Sequence, residues 1–385
     1  MQVTIVPHAS TLGKMSMLTR KPANSHTLDF LRGLAAVAVV FCHFDGLVRR
    51  LGGSIPFAAA GEVGVQLFFV LSGFFIGKSV LSPAEFSPRE YCLNRVFRII
   101  PAYYFSMLLI IAFMDASVPF VEGGIGNVFS HLAFLHGWFL PWRVAINGVY
   151  WTLSIEWLFY LFMLVFARPI RHPRLGWLVA MGMIAGAVGY KLWMWHQFAG
   201  RAGLLNFSYK QLPGMLDQFG CGLVVALLLR QPSVRLLVAN PWIKSIGLAL
   251  STTAAVAMVM LYIQRPPSVL YWANQWMVVF WPLAFCVSAA GVILFIQQFE
   301  ETIGPWLDRS RLSFLGVISY SMYLYHNLVI GAFARSWKKV AVGGCPEWLY
   351  MTAAALAILL VSWLLYWLVE KPFMEMRTQA KRRAS

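Results

Sequence analysis

Ten apolar stretches of this chain are each long enough to cross a lipid bilayer as an α-helix. Such a crossing takes about 20 apolar residues. A helix is favoured there because every backbone N–H and C=O must find its partner inside the segment when no water is near. The ten predicted spans are 28–46, 62–80, 96–114, 149–167, 175–195, 213–230, 244–264, 272–296, 312–333 and 348–369. The sequence therefore predicts an all-α, polytopic membrane protein.

The composition agrees with a chain that lies mostly in lipid. Of its 385 residues, 59% are hydrophobic and only 12% are charged, which leaves too little polar surface for a soluble protein. The formal net charge is +16, but Lys and Arg collect on the cytoplasmic side of membrane proteins in any case. We therefore do not expect nucleic acid to be a partner.

Lys and Arg are divided unequally between the two sides of the predicted bundle. Twenty fall on the side that holds both chain ends and ten on the other, so both termini are predicted to be cytoplasmic. We expect a cytoplasmic segment at 1–27, a membrane domain at 28–373, a basic cytoplasmic tail at 374–385 and a multi-pass location in the inner (plasma) membrane. The segment 127–142 is apolar but short, with a proline near its end, and is predicted to be interfacial or re-entrant.

The first span carries three side chains that are costly in lipid: Asp29, Arg32 and His43. Asp29 and Arg32 are three residues apart and so are neighbours on a helix surface. Arg32 and His43 return to nearly the same helix face and lie about 16 Å apart along the axis. An ionisable residue inside a span is by default a functional-site hypothesis. The structural alternative is an ion pair at the helix end and a hydrogen-bonded core histidine.

Five further motifs follow on the later spans. They are GVQLFFVLSGFFI (64–76), NRVFRIIPAYY (94–104), YWTLSIEWLFY (150–160), LGVISYSMYLYH (315–326) and VEKPF (369–373). Together with LDFLRG and an Arg and a His eleven residues apart, they resemble the integral-membrane acyltransferase 3 family over almost the whole chain. Members of that family move acyl groups onto bacterial cell-surface glycans, exopolysaccharides, Nod factors and some antibiotics.

The resemblance implies roles for five residues. His43 matches the family's essential histidine, and Arg32 matches the arginine eleven residues before it. Arg95 and Arg98 match an Arg-x-x-Arg pair that is linked to the acyl-CoA donor. Glu156 matches the acid of a Trp-Ser-Leu-Ser-x-Glu motif, although many members have a second acid where this chain has Trp157.

The chemistry of these residue types agrees with those roles. A sugar hydroxyl needs a base to become a nucleophile, and a neutral histidine such as His43 can supply one. Glu156 is predicted to lie at the depth of His43, where it could orient the imidazole as the acid of a triad does. Arg95 and Arg98 are presented together, and their guanidinium forks match phosphate oxygens.

Four more residues complete the predicted site. Asp29 is assigned to the catalytic group with Arg32, His43 and Glu156, through its pairing with the arginine. His326, Trp151 and Tyr150 are assigned to substrate binding.

The predicted function is therefore an O-acyltransferase that moves an acyl group, by family default acetyl, from cytoplasmic acyl-CoA to a glycan or glycolipid hydroxyl. Acetyl-CoA would be a donor substrate, with no permanently bound cofactor. The five cysteines have no metal-site spacing, so no metal is expected.

Two other functions remain open at this point. A secondary transporter would also keep ionisable residues inside its spans, although no repeat relates the two halves of the chain. A thiol enzyme that uses Cys42 is less favoured. Neighbouring helical residues point about 100° apart, so Cys42 and His43 could not pair directly.

Overall fold

The computed structural model describes residues 25–55, 57–117, 120, 123–265, 268–342 and 346–384. Over these residues the secondary structure is helical, without a strand. Residues 1–24, which make up most of the predicted N-terminal segment, and Cys345 lie outside the described residues.

Long helices occupy all ten predicted positions. They are α1 (His26–Arg50), α2 (Val63–Val80), α3 (Pro88–Phe113), α4 (Trp151–Val165), α5 (Leu175–Gln197), α6 (Leu212–Arg230), α7 (Pro241–Ile263), α8 (Trp281–Ile296), α9 (Ser319–Val342) and α10 (Glu347–Leu365). Shorter helical pieces connect or extend them: Ala58–Glu62, Gly124–Leu132, His136–Trp138, Ala167–Arg171, Ala202–Tyr209, Pro232–Ala239, Ser268–Ala273, Trp276–Phe280, Gln297–Phe299, Glu300–Arg309, Leu312–Val317, Tyr366–Glu370 and Lys371–Ala384. A continuous buried apolar core joins mainly α2, α3, α4, α6 and α9.

Eight helical segments of the described chain are long and apolar enough to cross a membrane. They contain α1, α2, α3, α5, α6, α7, α8 and α10. The other two predicted spans are also helical. However, α4 has only 15 residues, and α9 begins with the more polar sequence SYSMYLYHN. The prediction of an all-α polytopic membrane protein is confirmed.

A carboxylate from a distant part of the chain caps the start of α1. Glu300 accepts hydrogen bonds from the backbone N–H groups of His26 and Thr27, at 2.8 and 3.1 Å. It also accepts from the hydroxyls of Thr27 and Ser25, at 2.6 and 2.9 Å. The first N–H groups of a helix have no partner within it, and a negative charge there is favoured by the helix dipole. Glu300 therefore fixes the end of α1 that leads into Asp29 and Arg32.

The ninth span differs from its predicted bounds of 312–333. Leu312–Val317 forms a separate short helix, and α9 runs from Ser319 to Val342. The break occurs where the chain crosses α1 at backbone contact: a Cβ on Gly316 would lie 1.8 Å from the carbonyl oxygen of Asp29. The hydroxyl of Ser319 donates to the Gly316 carbonyl at 2.7 Å and so satisfies one acceptor at the break.

The segment at 127–142 is irregular, in line with the prediction of a piece that does not span. It contains the helix Gly124–Leu132 and a 3-10 turn at His136–Trp138. His131 and His136 are buried and stack at 4.0 Å between ring centroids. His136 Nε2 lies 3.0 Å from the carbonyl oxygen of Tyr150, and this contact ties the segment to the start of α4.

The predicted basic tail is helical as far as residue 384 and docks on the start of α3. It belongs to the helix Lys371–Ala384. Arg377 donates from Nε to the amide oxygen of Asn94 at 3.1 Å and forms an ion pair with Glu90. Ser25, at the start of the described chain, lines the same cavity as Glu90 and Lys381, so both ends lie on the side of the bundle where α3 starts.

Helices α2 and α6 cross at backbone contact through two glycines. A Cβ on Gly222 would lie 2.0 Å from the carbonyl oxygen of Val70, and one on Gly73 would lie 2.1 Å from that of Phe219. Small residues at a crossing let two membrane helices approach closely. The crossing holds α2, the helix that contributes Ser72 and Val65 to the cavities described below.

We predict that Gly222→Ala lowers the thermal stability of the purified protein, since the new methyl group meets backbone that cannot turn aside. Overpacking of this kind costs about 1–3 kcal/mol. Gly182→Ala on α5 is the matched control, because its Cβ would meet open space. Apparent melting temperatures in detergent provide the test. Equal melting of the two variants would contradict a close α2–α6 crossing.

Candidate active site

Three cavities follow one another through the bundle. The first, here called the mouth, has a volume of about 580 Å³ and is lined by Asp29, Arg32, Phe75 and Lys78, among others. The second, the arginine cavity, is narrow at about 90 Å³. The third, the histidine cavity, has about 550 Å³ and contains His43. Arg32 and Phe75 line both the mouth and the arginine cavity.

The arginine cavity brings together three guanidinium groups that the sequence had assigned to function. Arg32, Arg95 and Arg98 all line it. The Arg95 guanidinium lies over the rings of Tyr91 and Tyr160, at 5.5 Å from each centroid. Its Nε is enclosed and has no hydrogen-bond partner among the residues that the structure describes. The prediction that Arg95 and Arg98 are presented together is met.

Asp29 and Arg32 form the expected pair at the boundary of the mouth, although the contact is long. The Nη1 of Arg32 lies 3.8 Å from an Asp29 carboxylate oxygen. The Arg32 guanidinium also lies 4.4 Å from the ring centroid of Phe75. Since the ion pair is not closed by a hydrogen bond, Arg32 keeps donors that a ligand in the cavity can use.

Glu156 also lines the arginine cavity, and its hydrogen bonds differ from the predicted ones. Its Oε1 accepts from the hydroxyl of Ser72 at 2.8 Å and from the hydroxyl of Tyr160. Tyr160 is four residues further along α4, on the same helix face. The expected contact between Glu156 and His43 is therefore not formed, and the carboxylate faces the arginines instead.

The partner of His43 is His326. The Nε2 of His326 lies 3.2 Å from the Nδ1 of His43, and His326 is fully buried. The Nδ1 of His43 is also 3.0 Å from the carbonyl oxygen of Val39, and the Nδ1 of His326 is 3.0 Å from that of Met322. His326 was predicted to contact substrate, whereas here it contacts the proposed base.

These contacts determine which nitrogen of His43 is free. A carbonyl oxygen only accepts hydrogen bonds, so each Nδ1 carries the proton. The Nε2 of His326 then has a lone pair that can accept a hydrogen bond. The Nδ1–H of His43 is therefore shared between two acceptors, this nitrogen and the Val39 carbonyl oxygen. In a neutral imidazole only one nitrogen is protonated. The Nε2 of His43 is therefore left unprotonated, as a base in the wall of the histidine cavity.

Tyr323 and Val65 form the boundary between the arginine and histidine cavities, since both residues line both spaces. The Tyr323 hydroxyl donates to the carbonyl oxygen of Val149 at 2.9 Å and lies 2.6 Å from the hydroxyl of Thr152. The ring packs edge-on against Phe68, with centroids 5.9 Å apart. Tyr323 is thus held in place at the boundary by the hydrogen bonds of its hydroxyl and by the packing of its ring.

The two aromatic residues at the start of α4 have different positions. Trp151 lines the histidine cavity, with the Lys210 ammonium 4.7 Å from its ring centroid. Tyr150 is fully buried in the core, where its hydroxyl lies 2.6 Å from that of Ser106. Trp151 therefore lies where a ligand of the cavity can reach it, whereas Tyr150 is enclosed and its hydroxyl already has a hydrogen-bond partner.

Several polar residues of the sequence motifs have no role in the sequence-based prediction, although the structure gives them defined contacts. Ser72, Tyr160 and Tyr323 belong to the second, fourth and ninth spans, and each is a polar residue in an apolar run. Glu370 of VEKPF is buried and accepts from the hydroxyl of Ser321 at 2.9 Å. Its other carboxylate oxygen has no hydrogen-bond partner among the described residues. A polar side chain within a predicted span was the signal that could have identified Ser72, Tyr160 and Tyr323, whereas Glu370 directly follows the predicted tenth span.

Comparison with known proteins agrees with this site. A family model for an acyltransferase domain matches residues 25–367. The chain belongs to the acyltransferase 3 family. No solved structure matches it. Membership of an acyltransferase family favours the enzyme over the transporter that the sequence had left open.

Three relatives match over most of their length. BcsY of Komagataeibacter xylinus, named as a membrane-bound transacylase, is 28% identical over an alignment of 372 residues that covers 92% of this chain and 84% of that protein. Nodulation protein 10 of Rhizobium leguminosarum bv. viciae is 24% identical, with 94% of this chain and 98% of that protein covered. The exopolysaccharide production protein ExoZ of Rhizobium meliloti is 24% identical, with coverages of 84% and 92%.

We predict that His326→Ala reduces acyl transfer by roughly tenfold to a hundredfold, because the imidazolium formed at His43 loses a hydrogen bond of about 1.5–3 kcal/mol. His326→Gln should recover part of the rate, since its amide oxygen can accept from His43 Nδ1–H. Turnover and melting temperature are measured together. If Gln were no better than Ala and both variants melted early, His326 would have only a packing role.

Proposed function

We propose that the protein is a membrane-bound O-acyltransferase that takes an acyl group from acyl-CoA at the arginine end of the bundle. The acceptor is a hydroxyl of a glycan or glycolipid at the His43 end. The observation that carries this proposal is the row of three cavities that joins the mouth, the three arginines and His43 through shared lining residues. Acetyl is the proposed acyl group, and the inner membrane is the proposed location.

The cavities can be matched to the parts of an acyl-CoA donor. The mouth is wide enough for a nucleotide, and Lys78 and Lys381 line it together with Arg32. The arginine cavity is small, about 90 Å³, and would have to widen to take an extended pantetheine arm; Arg95 and Arg98 at its wall can bind the pyrophosphate bidentately. The thioester would then lie near Tyr323 and Val65, at the boundary with the histidine cavity.

The reaction would proceed at that boundary. His43 Nε2 removes the proton of the acceptor hydroxyl as the oxygen attacks the thioester carbonyl carbon. The C–O bond forms, the C–S bond breaks, and the imidazolium returns the proton to the departing sulfur. The products are an ester and free coenzyme A. His326 stabilises the imidazolium by accepting from its Nδ1–H, a task that an acid performs in a serine-hydrolase triad.

The proposed role of Glu156 follows from its observed partners rather than from the predicted one. With Ser72 and Tyr160 as hydrogen-bond donors, the carboxylate lies among three guanidinium groups. It would offset part of their mutual repulsion before the donor phosphates bind. The name of ExoZ, an exopolysaccharide production protein, supports an acceptor that belongs to a secreted carbohydrate.

This function predicts that substitutions in α1 and in α3 change different kinetic constants. His43→Ala should lower kcat by about 10²–10⁴-fold with the donor KM nearly unchanged, because a base acts in the chemical step. Arg95→Ala and Arg98→Ala should each raise the donor KM by roughly tenfold to a hundredfold, the equivalent of a charge-assisted hydrogen bond. Release of coenzyme A thiol by purified protein, at varied acetyl-CoA concentrations, gives both constants.

Two controls make the result specific. Arg235→Ala removes an exposed cation that lines none of the three cavities and should leave both constants unchanged. Cys42→Ala should also remain active, since Cys42 lines the histidine cavity but is not needed as a nucleophile. Full activity of His43→Ala in a folded protein would refute the proposed mechanism.

A further inference from the structure

Two cations line the histidine cavity without a carboxylate partner. Lys210 and Arg265 both contribute to its wall, and neither forms an ion pair within the described part of the chain. Both belong to the minority of basic residues on the side predicted to face outward. The rule that places cations on the cytoplasmic side of membrane proteins therefore gives no reason for them to be here.

The contacts that these cations do make leave positive charge facing the cavity. The Lys210 ammonium lies over Trp151, and the Arg265 guanidinium lies 3.9 Å from the ring centroid of Tyr262. Glu62 is the carboxylate of the cavity wall, and it accepts a hydrogen bond from the Tyr262 hydroxyl. One carboxylate thus faces two cations, which leaves an excess of one positive charge.

The remaining ionic residue in the wall adds no net charge. Lys191 forms a closed, buried ion pair with Asp217, at 2.6 Å. Burial lowers the pKa of Lys210 below its ordinary value, and the nearby Glu62 carboxylate opposes that effect. An anion bound in the cavity would favour the charged form of Lys210 in the same way.

Three side-chain amides of the same wall have an oxygen atom that accepts no hydrogen bond from the described residues. Gln66, Asn206 and Gln218 line the histidine cavity, and each has an enclosed amide oxygen with no partner among the described residues. A buried acceptor left unpaired costs about 1–3 kcal/mol, so such groups are normally satisfied by a ligand or by water. Hydroxyl groups of a sugar are donors of the required kind.

We propose that the histidine cavity is a subsite for a sugar that carries an anionic group, either a carboxylate or a phosphate. Lys210 and Arg265 bind the anion, and the side-chain amides of Gln66, Asn206 and Gln218, whose oxygens are enclosed in this structure, turn to accept hydrogen bonds from the sugar hydroxyls. One free hydroxyl then faces Nε2 of His43. This inference rests on the proposed function, because it identifies the acceptor of the same transfer reaction.

The test uses the full-length protein in nanodiscs with acetyl-CoA and three soluble acceptors. Methyl β-D-glucuronide carries a carboxylate, methyl β-D-glucoside 6-phosphate carries a phosphate, and methyl β-D-glucoside is neutral. We expect kcat/KM for at least one anionic glycoside to exceed that for the neutral one by tenfold or more. The anionic glycoside with the higher kcat/KM shows whether the cavity prefers a uronic acid or a phosphorylated sugar.

Substitutions identify the groups that recognise the anion. The double variant Lys210→Gln/Arg265→Gln should remove the preference, so that the three acceptors differ by less than threefold. Lys210→Arg should keep it, and Glu62→Gln should increase it, because the wall then gains net positive charge. Arg201→Gln, which removes an exposed cation on the same predicted side, is the control and should behave like the parent.

Binding without acetyl-CoA separates this proposal from the proposed function. Saturation-transfer NMR of the three glycosides, recorded without acetyl-CoA, measures their binding in the absence of acyl transfer. Selective binding of an anionic glycoside that depends on Lys210 and Arg265, without coenzyme A release, would support the subsite and count against acyl transfer. Release with equal kcat/KM for all three acceptors, or binding of neither anionic glycoside, would overturn the subsite.

Discussion

The fixed rise of helix α1 between Arg32 and His43 is the constraint on which the rest of the site depends. Eleven residues of helix separate the two side chains by about 16 Å, and α1 is held at both ends of that interval. Glu300 caps its start, the backbone at Gly316 lies against Asp29, and His326 bonds to His43. Under the proposed function, a donor bound at the arginines would therefore reach the histidine only through an extended arm.

The boundary at Tyr323 and Val65 follows from that separation. Two cavities lie on either side of it, one with three guanidinium groups and one with the imidazole. A continuous wet channel would let ions and water cross the bilayer, and Tyr323, which is hydrogen-bonded to Val149 and Thr152, lies between the two cavities. The proposed arm would take the place of water at the boundary, which also protects the thioester from hydrolysis.

Much of this architecture could be predicted from the sequence, because span length and motif order depend on local sequence alone. The ten helix positions, the pairing of Asp29 with Arg32 and the joint placement of Arg95 and Arg98 are of this kind. The partner of Glu156 could not be predicted, since depth along a helix does not give its rotation. The break before α9 depends on the contact of Gly316 with α1, and the role of Lys210 depends on a cavity built from several helices.

The most direct test of the account asks whether donor and acceptor act from opposite faces of the membrane. Sealed vesicles of known orientation would receive labelled acetyl-CoA on the face that carries Arg95, with the glycan acceptor confined to one face or the other. The account predicts that label appears on the acceptor only when it is on the His43 face. Labelling of an acceptor confined with the donor on the Arg95 face would contradict it.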